Sequence, residues 1–145
     1  MSKDVIPVSQ DQVPEHLRAS RSRFTRWFGR TFYSAIGWNL EGKITDAERV
    51  MIVAAPHTSN WDFVFGMSAI LGINARVRWL GKHTVFRFGV TWFFRWLGGI
   101  PVNRAEPDMV MRYVDEAVKK DDGLIFVVAP EGTRKKAKKW KSGFL

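Results

Sequence analysis

The sequence predicts an α/β fold, a mixed, mostly parallel sheet flanked by helices, with an N-terminal amphipathic helix ahead of it. Three observations carry this reading. Short unbroken apolar runs, RVMIVAA at 49–55 and LIFVVA at 124–129, have the length and β-branched content of strands buried on both faces. Helical patterns lie between such runs, and strands alternating with helices are the signature of a parallel sheet with ligands at its strand ends. The length of 145 residues, with 46% hydrophobic and 26% charged side chains, suits one domain with its own core. No internal repeat is present.

The elements follow in order. Residues 1–20 carry scattered charge and no periodicity, and read as a mobile lead-in. From Arg21 to Ile36, Phe24, Trp27, Phe28, Phe32 and Ile36 recur at three- and four-residue steps with Arg23, Arg26 and Arg30 between them, which predicts a basic amphipathic helix. Its aromatic face either packs on the domain or enters the acyl boundary of a membrane with the arginines among headgroups. Residues 37–44 (GWNLEGKI) read as a turn into a short strand, and 49–55 as a buried strand ended by Pro56. A buried helix follows at 62–73, then a strand at 77–80. The aromatic segment 86–97 reads as a helix or broken helix. GGIPVNR, 98–104, is a short strand or turn. The stretch 107–120 is the clearest helix: Pro107 and Asp108 stand in its first turn, Lys119 and Lys120 in its last, and Met111, Val114 and Val118 on one face. Residues 124–129 form the last strand, ended by Pro130.

Composition excludes several classes of protein. With no Cys there are no disulfides and no thiolate zinc sites. The longest nearly apolar run, 63–73, is shorter than the roughly 20 residues of a membrane-spanning helix. The opening MSKDVIPVSQ lacks the apolar core of a secretory signal, which makes the cytoplasmic side the default. Lys and Arg number 23 against 14 Asp and Glu, a net charge of +9. Residues 1–30 hold six basic and three acidic groups, 31–133 eleven of each, and 134–145 six basic and none acidic. A neutral body with basic ends suits an anionic membrane surface better than a nucleic-acid reader, which spreads positive charge over its folded face.

Three segments can carry chemistry. In Pro56-His57-Thr58-Ser59-Asn60-Trp61-Asp62, a His leaves a strand and an Asp follows at a helix start. A carboxylate on one imidazole nitrogen fixes the tautomer and supports the positive charge formed when the other takes a proton, the base-and-orienter half of a catalytic triad. The plain alternative makes Asp62 a helix N-cap and His57 an ordinary loop histidine. No nucleophile accompanies the pair: there is no GxSxG, and Ser59 lies too close to His57. Direct attack by a substrate hydroxyl therefore fits better than a covalent acyl-enzyme. GGIPVNR (98–104) and APEGTR (129–134) each place an Arg, Arg104 and Arg134, just past an apolar strand, where a planar guanidinium can bind two phosphate oxygens; neither matches a P-loop. Together the three segments imply one site with a base and two anion grips.

The set His57-x4-Asp62, GGIPVNR and PEGTR, in that order over residues 37–145, resembles the phospholipid/glycerol acyltransferases, the PlsC-like family that includes 1-acylglycerol-3-phosphate acyltransferases. The resemblance implies transfer of a fatty acyl group from a thioester carrier, acyl-CoA or acyl-ACP, to a hydroxyl of a lysophospholipid or glycerol phosphate, with no metal and no further cofactor. By position, His57 is the implied general base and Asp62 its orienter. Arg104 is implied to grip the acceptor phosphate, Glu131, Gly132 and Thr133 to shape the acceptor site, and Arg134 to make a second phosphate contact. Two departures stand out. Lys135 follows PEGTR where the family commonly has Ser, and the sequence ends at Leu145 before the family's fourth, proline-containing motif. Residues 37–145 thus read as an acyltransferase domain incomplete at its C-terminus.

The tail RKKAKKWK, 134–141, is six-eighths basic and reads as a solvated run or as a contact for headgroups, donor nucleotide phosphates or nucleic acid; its place directly after PEGTR favours substrate or membrane anions. Lys82 and His83, before the aromatic segment, read either as lining the site or, more simply, as only capping it, and His16 has no assigned role. The expectation is a peripheral enzyme at the inner face of the membrane, with no nucleic-acid partner. The competing expectation is a catalytically impaired anionic-surface binder with the same fold.

Overall fold

A computed structural model describes residues 8–55, 59–87, 89–103 and 105–129. Its elements are α1 (Arg23–Ala35), β1 (Arg49–Val53), α2 (Asn60–Ile73), β2 (Val77–Lys82), α3 (Thr91–Trp96), β3 (Gly99–Val102), α4 (Pro107–Lys120) and β4 (Leu124–Val128). The four strands form one sheet in the order β1-β4-β2-β3, flanked by helices. Every pairing among the described strands is parallel: Val53 lies opposite Val128, Val77 opposite Ile125, and Lys82 opposite Val102. The α/β class is as the sequence predicts, and the sheet is parallel throughout these strands rather than mixed.

The core forms where β2 and β4 meet the first helices. Val77, Trp79, Leu124, Ile125 and Phe126 are buried, together with Met67, Leu71 and Ile73 of α2. Trp79, Phe86, Phe94 and Phe63 cluster with ring centroids 4.8 to 6.2 Å apart, mostly edge to face, the geometry favoured by ring quadrupoles. The aromatic segment is indeed broken. A 3-10 turn at His83–Val85 precedes α3, with Phe86 and Phe94 turned into the cluster while Trp92 is 71% exposed.

Four expectations are corrected. The segment 8–20 does not behave as a lead-in: it supplies Val8, Val13 and Leu17 to the core, and its backbone bridges Arg18 to Ala75. No strand forms at 37–44. Gly37 and Gly42 have positive φ, and the carbonyls of Leu40 and Gly42 accept from the buried Gln12 side chain instead of a ladder partner. The run at 49–53 is a strand but not a buried one: Met51, Ile52 and Val53 are 37 to 55% exposed, because β1 lies at the edge of the described sheet and pairs there with β4 alone. The apolar helix α2 is buried in its C-terminal half, from Met67 onward, whereas Trp61, Val64 and Gly66 near its start are exposed. An apolar run reports on composition, and position in the sheet or bundle decides burial.

The helix predicted at 21–36 is present as α1, with its faces distributed in an instructive way. Gly29 sits against α2, where a Cβ would lie 2.7 Å from the Gly72 nitrogen and 2.8 Å from the Ser68 carbonyl. Arg30 Nε donates to the Gly72 carbonyl at 3.0 Å, and the Arg26 guanidinium donates to Gln10 Oε1. Two of the three interleaved arginines therefore hold the helix to the domain, and Phe24, Trp27 and Phe28 are left 51 to 69% exposed.

Gly98 is fixed by both conformation and space. Its φ is +89°, and an added Cβ would sit 1.9 Å from the Val77 carbonyl oxygen. Gly98→Ala is expected to lower unfolding stability by at least about 2 kcal/mol in urea titration. The control is Gly66→Ala, with no heavy atom within 4 Å of the new methyl, which is expected to gain about 0.5–1 kcal/mol from helix propensity. Equal effects at the two sites would contradict the packing described.

Candidate active site

A parallel sheet gathers the C-terminal ends of its strands along one edge, and here that edge is where the sequence motifs begin. β1 ends at Val53 and β4 at Val128, residues paired in register, and the pairing runs one step further through a hydrogen bond from Ala54 N to the Val128 carbonyl at 2.8 Å. The segment carrying His57 follows the first of these strands, and the segment carrying Glu131 follows the second. β2 ends at Lys82 beside Val102 of β3, after which come Asn103 and Arg104. At about 4.8 Å per strand, the four ends span about 14 Å.

His57, Arg104, Glu131, Gly132, Thr133 and Arg134, and the basic tail after them, lie outside the described residues. Asp62 is described. Helix α2 starts two residues earlier than the apolar pattern suggests, so Ser59 is its N-cap and Asp62 its third residue. The two form a reciprocal capping box: Ser59 N–H donates to Asp62 Oδ2 at 2.7 Å, and Ser59 Oγ accepts from Trp61 N–H at 3.1 Å. The alternative that Asp62 is itself the N-cap is thus replaced by a more specific arrangement. Ser59 does the capping, and Asp62 is clamped in the first turn of the helix by the Ser59 N–H. The S-x-x-D spacing of Ser59-Asn60-Trp61-Asp62 was the signal for this, masked by the apolar residues that begin after it.

The second motif is built from packing. Gly98 turns the chain into β3, its carbonyl accepting from Trp79 N–H at 3.1 Å, while Trp79 Nε1 donates to the Leu97 carbonyl at 3.2 Å. A Cβ on Gly99 would meet the Trp79 and Phe86 rings at 2.7 and 2.8 Å. The glycine pair thus brings β3 tight against the aromatic cluster. Past Val102, Asn103 closes a small turn: Oδ1 accepts from Ala105 N–H at 3.2 Å and Nδ2 donates to Glu106 Oε1 at 2.8 Å. This turn leads directly into α4.

Lys82 and His83, read from sequence as lining the site or only capping it, stand exposed at the end of β2 and so at the same edge. His16 lies elsewhere, with Nε2 3.0 Å from the Ala47 carbonyl. Among the described residues no three His, Asp or Glu side chains are grouped to hold a metal, and no helix is long and apolar enough to cross a membrane.

A parallel sheet whose strand ends lead into a His-x4-Asp segment, a Gly-Gly turn with an Arg, and a PEGTR segment defines an enzyme domain of the acyl-transfer class. The family model described as Acyltransferase matches residues 20–145, and the chain belongs to that family, the PlsC-like glycerolipid acyltransferases. Searches of curated proteins and of solved structures find no match.

Ser59→Ala removes the side-chain half of the capping box and is expected to cost about 1 kcal/mol, read as a lower urea midpoint at unchanged m-value. No change in midpoint would mean that α2 is held without its cap.

Proposed function

We propose that the domain transfers a fatty acyl group from acyl-CoA or acyl-ACP to a hydroxyl of a lysophospholipid or glycerol phosphate, as a peripheral enzyme on the cytoplasmic face of an anionic membrane. The observation that carries this reading is the common edge of the sheet, at which strands leading into all three family motifs end. His57 acts as general base on the acceptor hydroxyl, and the clamped Asp62 carboxylate orients it and stabilises the imidazolium. The hydroxyl oxygen attacks the thioester carbonyl, the C–S bond of the tetrahedral intermediate breaks, and the imidazolium returns its proton to the departing thiolate. The base never becomes acylated, so neither a covalent enzyme intermediate nor a metal is required.

Arg104 and Arg134 hold the acceptor phosphate through charge-assisted hydrogen bonds, and Glu131, Gly132 and Thr133 shape the acceptor site. The exposed aromatic face of α1 supports membrane attachment. Phe24, Trp27 and Phe28 present apolar and indole surface of the kind that settles at the lipid interface, and Trp92 and Trp96 of α3 are exposed as well. The basic ends of the chain add attraction to anionic headgroups.

Two measurements test this reading. Purified protein is expected to acylate a lysophospholipid from acyl-CoA or acyl-ACP, and His57→Ala to lower kcat by about 10²–10⁴-fold; wild-type turnover in that variant would refute the base assignment. Sedimentation with anionic vesicles is expected to weaken with added salt and with Trp27→Glu. Salt-insensitive or absent binding would refute the membrane assignment. Vesicle binding without any acyl transfer would leave the surface-binder alternative standing in place of the enzyme.

A further inference from the structure

The opposite edge of the sheet, where the strands begin, carries a basic cleft that acyl transfer does not use. It is an open depression of about 290 Å³ lined by Arg21, Arg76 and Arg78, with Val77 at the start of β2, Gly98 just before β3, Trp96 at the end of α3, and Asp121 after α4. The backbone around it is firmly held. Arg76 N–H donates to the Leu17 carbonyl at 2.7 Å, and the Arg76 carbonyl accepts from Ile125 N–H at 3.2 Å.

The three arginines are not equivalent. Arg78 is neutralised, since Nε donates to Asp121 Oδ2 at 3.0 Å and Nη2 lies 2.9 Å from the same oxygen. Arg21 and Arg76 have no carboxylate partner among the described residues. Arg21 Nη1 donates to the Ala75 carbonyl at 2.6 Å and its guanidinium lies 5.7 Å from the centre of the Trp96 ring. Arg76 Nη2 donates to the Arg18 carbonyl at 3.2 Å. Each guanidinium has five N–H donors, so most of the donor capacity of both remains to be used. Desolvation pulls Arg21 down to about 10, still cationic at neutral pH. A half-buried cation without a counterion is costly, and an arriving anion removes that cost.

We propose that this cleft binds a phosphate group, with Arg21 and Arg76 as its two cationic arms and Trp96 as its wall. Two guanidinium groups in excess of the local carboxylate match the charge of a phosphate monoester, and paired planar forks match its oxygens. The phosphate can come from a lipid headgroup or from a soluble phosphate ester. Arg21 stands two residues before α1, whose Phe24, Trp27 and Phe28 are exposed, so a headgroup can reach the cleft when that face rests on a bilayer.

Calorimetric titration of the whole protein with inorganic phosphate, against chloride at matched ionic strength, tests the proposal without reference to turnover. Wild-type protein is expected to bind phosphate, and Arg76→Gln and Arg21→Gln each to weaken it by about tenfold or more. Arg104→Gln, which acts at the acceptor site, is expected to leave this binding in place. If Arg21→Gln does not fold, Arg76→Gln decides alone. With Arg104→Gln protein, displacement of phosphate by phosphatidylcholine vesicles containing phosphatidic acid, but not by pure phosphatidylcholine, identifies the headgroup as source; displacement only by soluble glycerol phosphate identifies a free ester. The proposal is overturned if wild-type protein responds to phosphate as it does to chloride, if Arg76→Gln binds as wild type, or if Arg104→Gln abolishes all phosphate binding.

Discussion

The parallel pairing of β4 between β1 and β2 is the constraint on which the rest depends. β4 is the last described strand in sequence but lies inside the sheet, so the C-terminal ends of β1 and β4 become spatial neighbours although more than seventy residues separate them in the chain. Register does the rest: Val53 opposite Val128 sets the ends of β1 and β4 side by side, and Lys82 opposite Val102 sets the end of β2 beside the end of β3. A one-residue slip would invert every side chain of a strand, and the alternation of β2, with Val77, Trp79 and Gly81 buried and Lys82 exposed, opposes it.

Around this sheet, glycine and arginine allow close approach and then hold it. Gly29 and Gly72 let α1 and α2 meet at backbone distance, and Arg30 bonds across the contact. Gly98 and Gly99 seat β3 against Trp79 and Phe86. One consequence is that Arg26 and Arg30 turn toward the domain while Phe24, Trp27 and Phe28 turn away; Arg23 stays exposed and Tyr33 is buried in the core. At Arg26, Arg30, Phe24, Trp27 and Phe28 charge faces the domain and rings face out, which is why the outer face of this helix invites an apolar partner such as a lipid interface.

The sequence made strand and helix order legible, since apolar runs ended by Pro or Gly and the caps of α4 are local signals. It could not show which strand would lie at the edge of the described sheet, so 49–53 reads as buried when Met51 is 55% exposed. Nor could it show that Val8, Val13 and Leu17 belong to the core, because their spacing follows two 3-10 turns rather than a helix or strand period. In the site, the Asp62 position was legible but its capping partner was not, and Arg21 and Arg76 were invisible as a pair because 55 residues of chain separate them. The roles of His57, Arg104 and the PEGTR segment rest on motif order and on the strand ends that precede them.

The central claim is that these strand ends serve direct acyl transfer from a thioester to an acceptor hydroxyl. It is tested most directly by following thiol release from acyl-CoA or acyl-ACP with and without lysophospholipid. The account predicts release only when acceptor is present, one thiol for each acyl group transferred. Absence of acceptor-dependent release from either donor, or a burst of thiol equal to the enzyme concentration without acceptor, would contradict it.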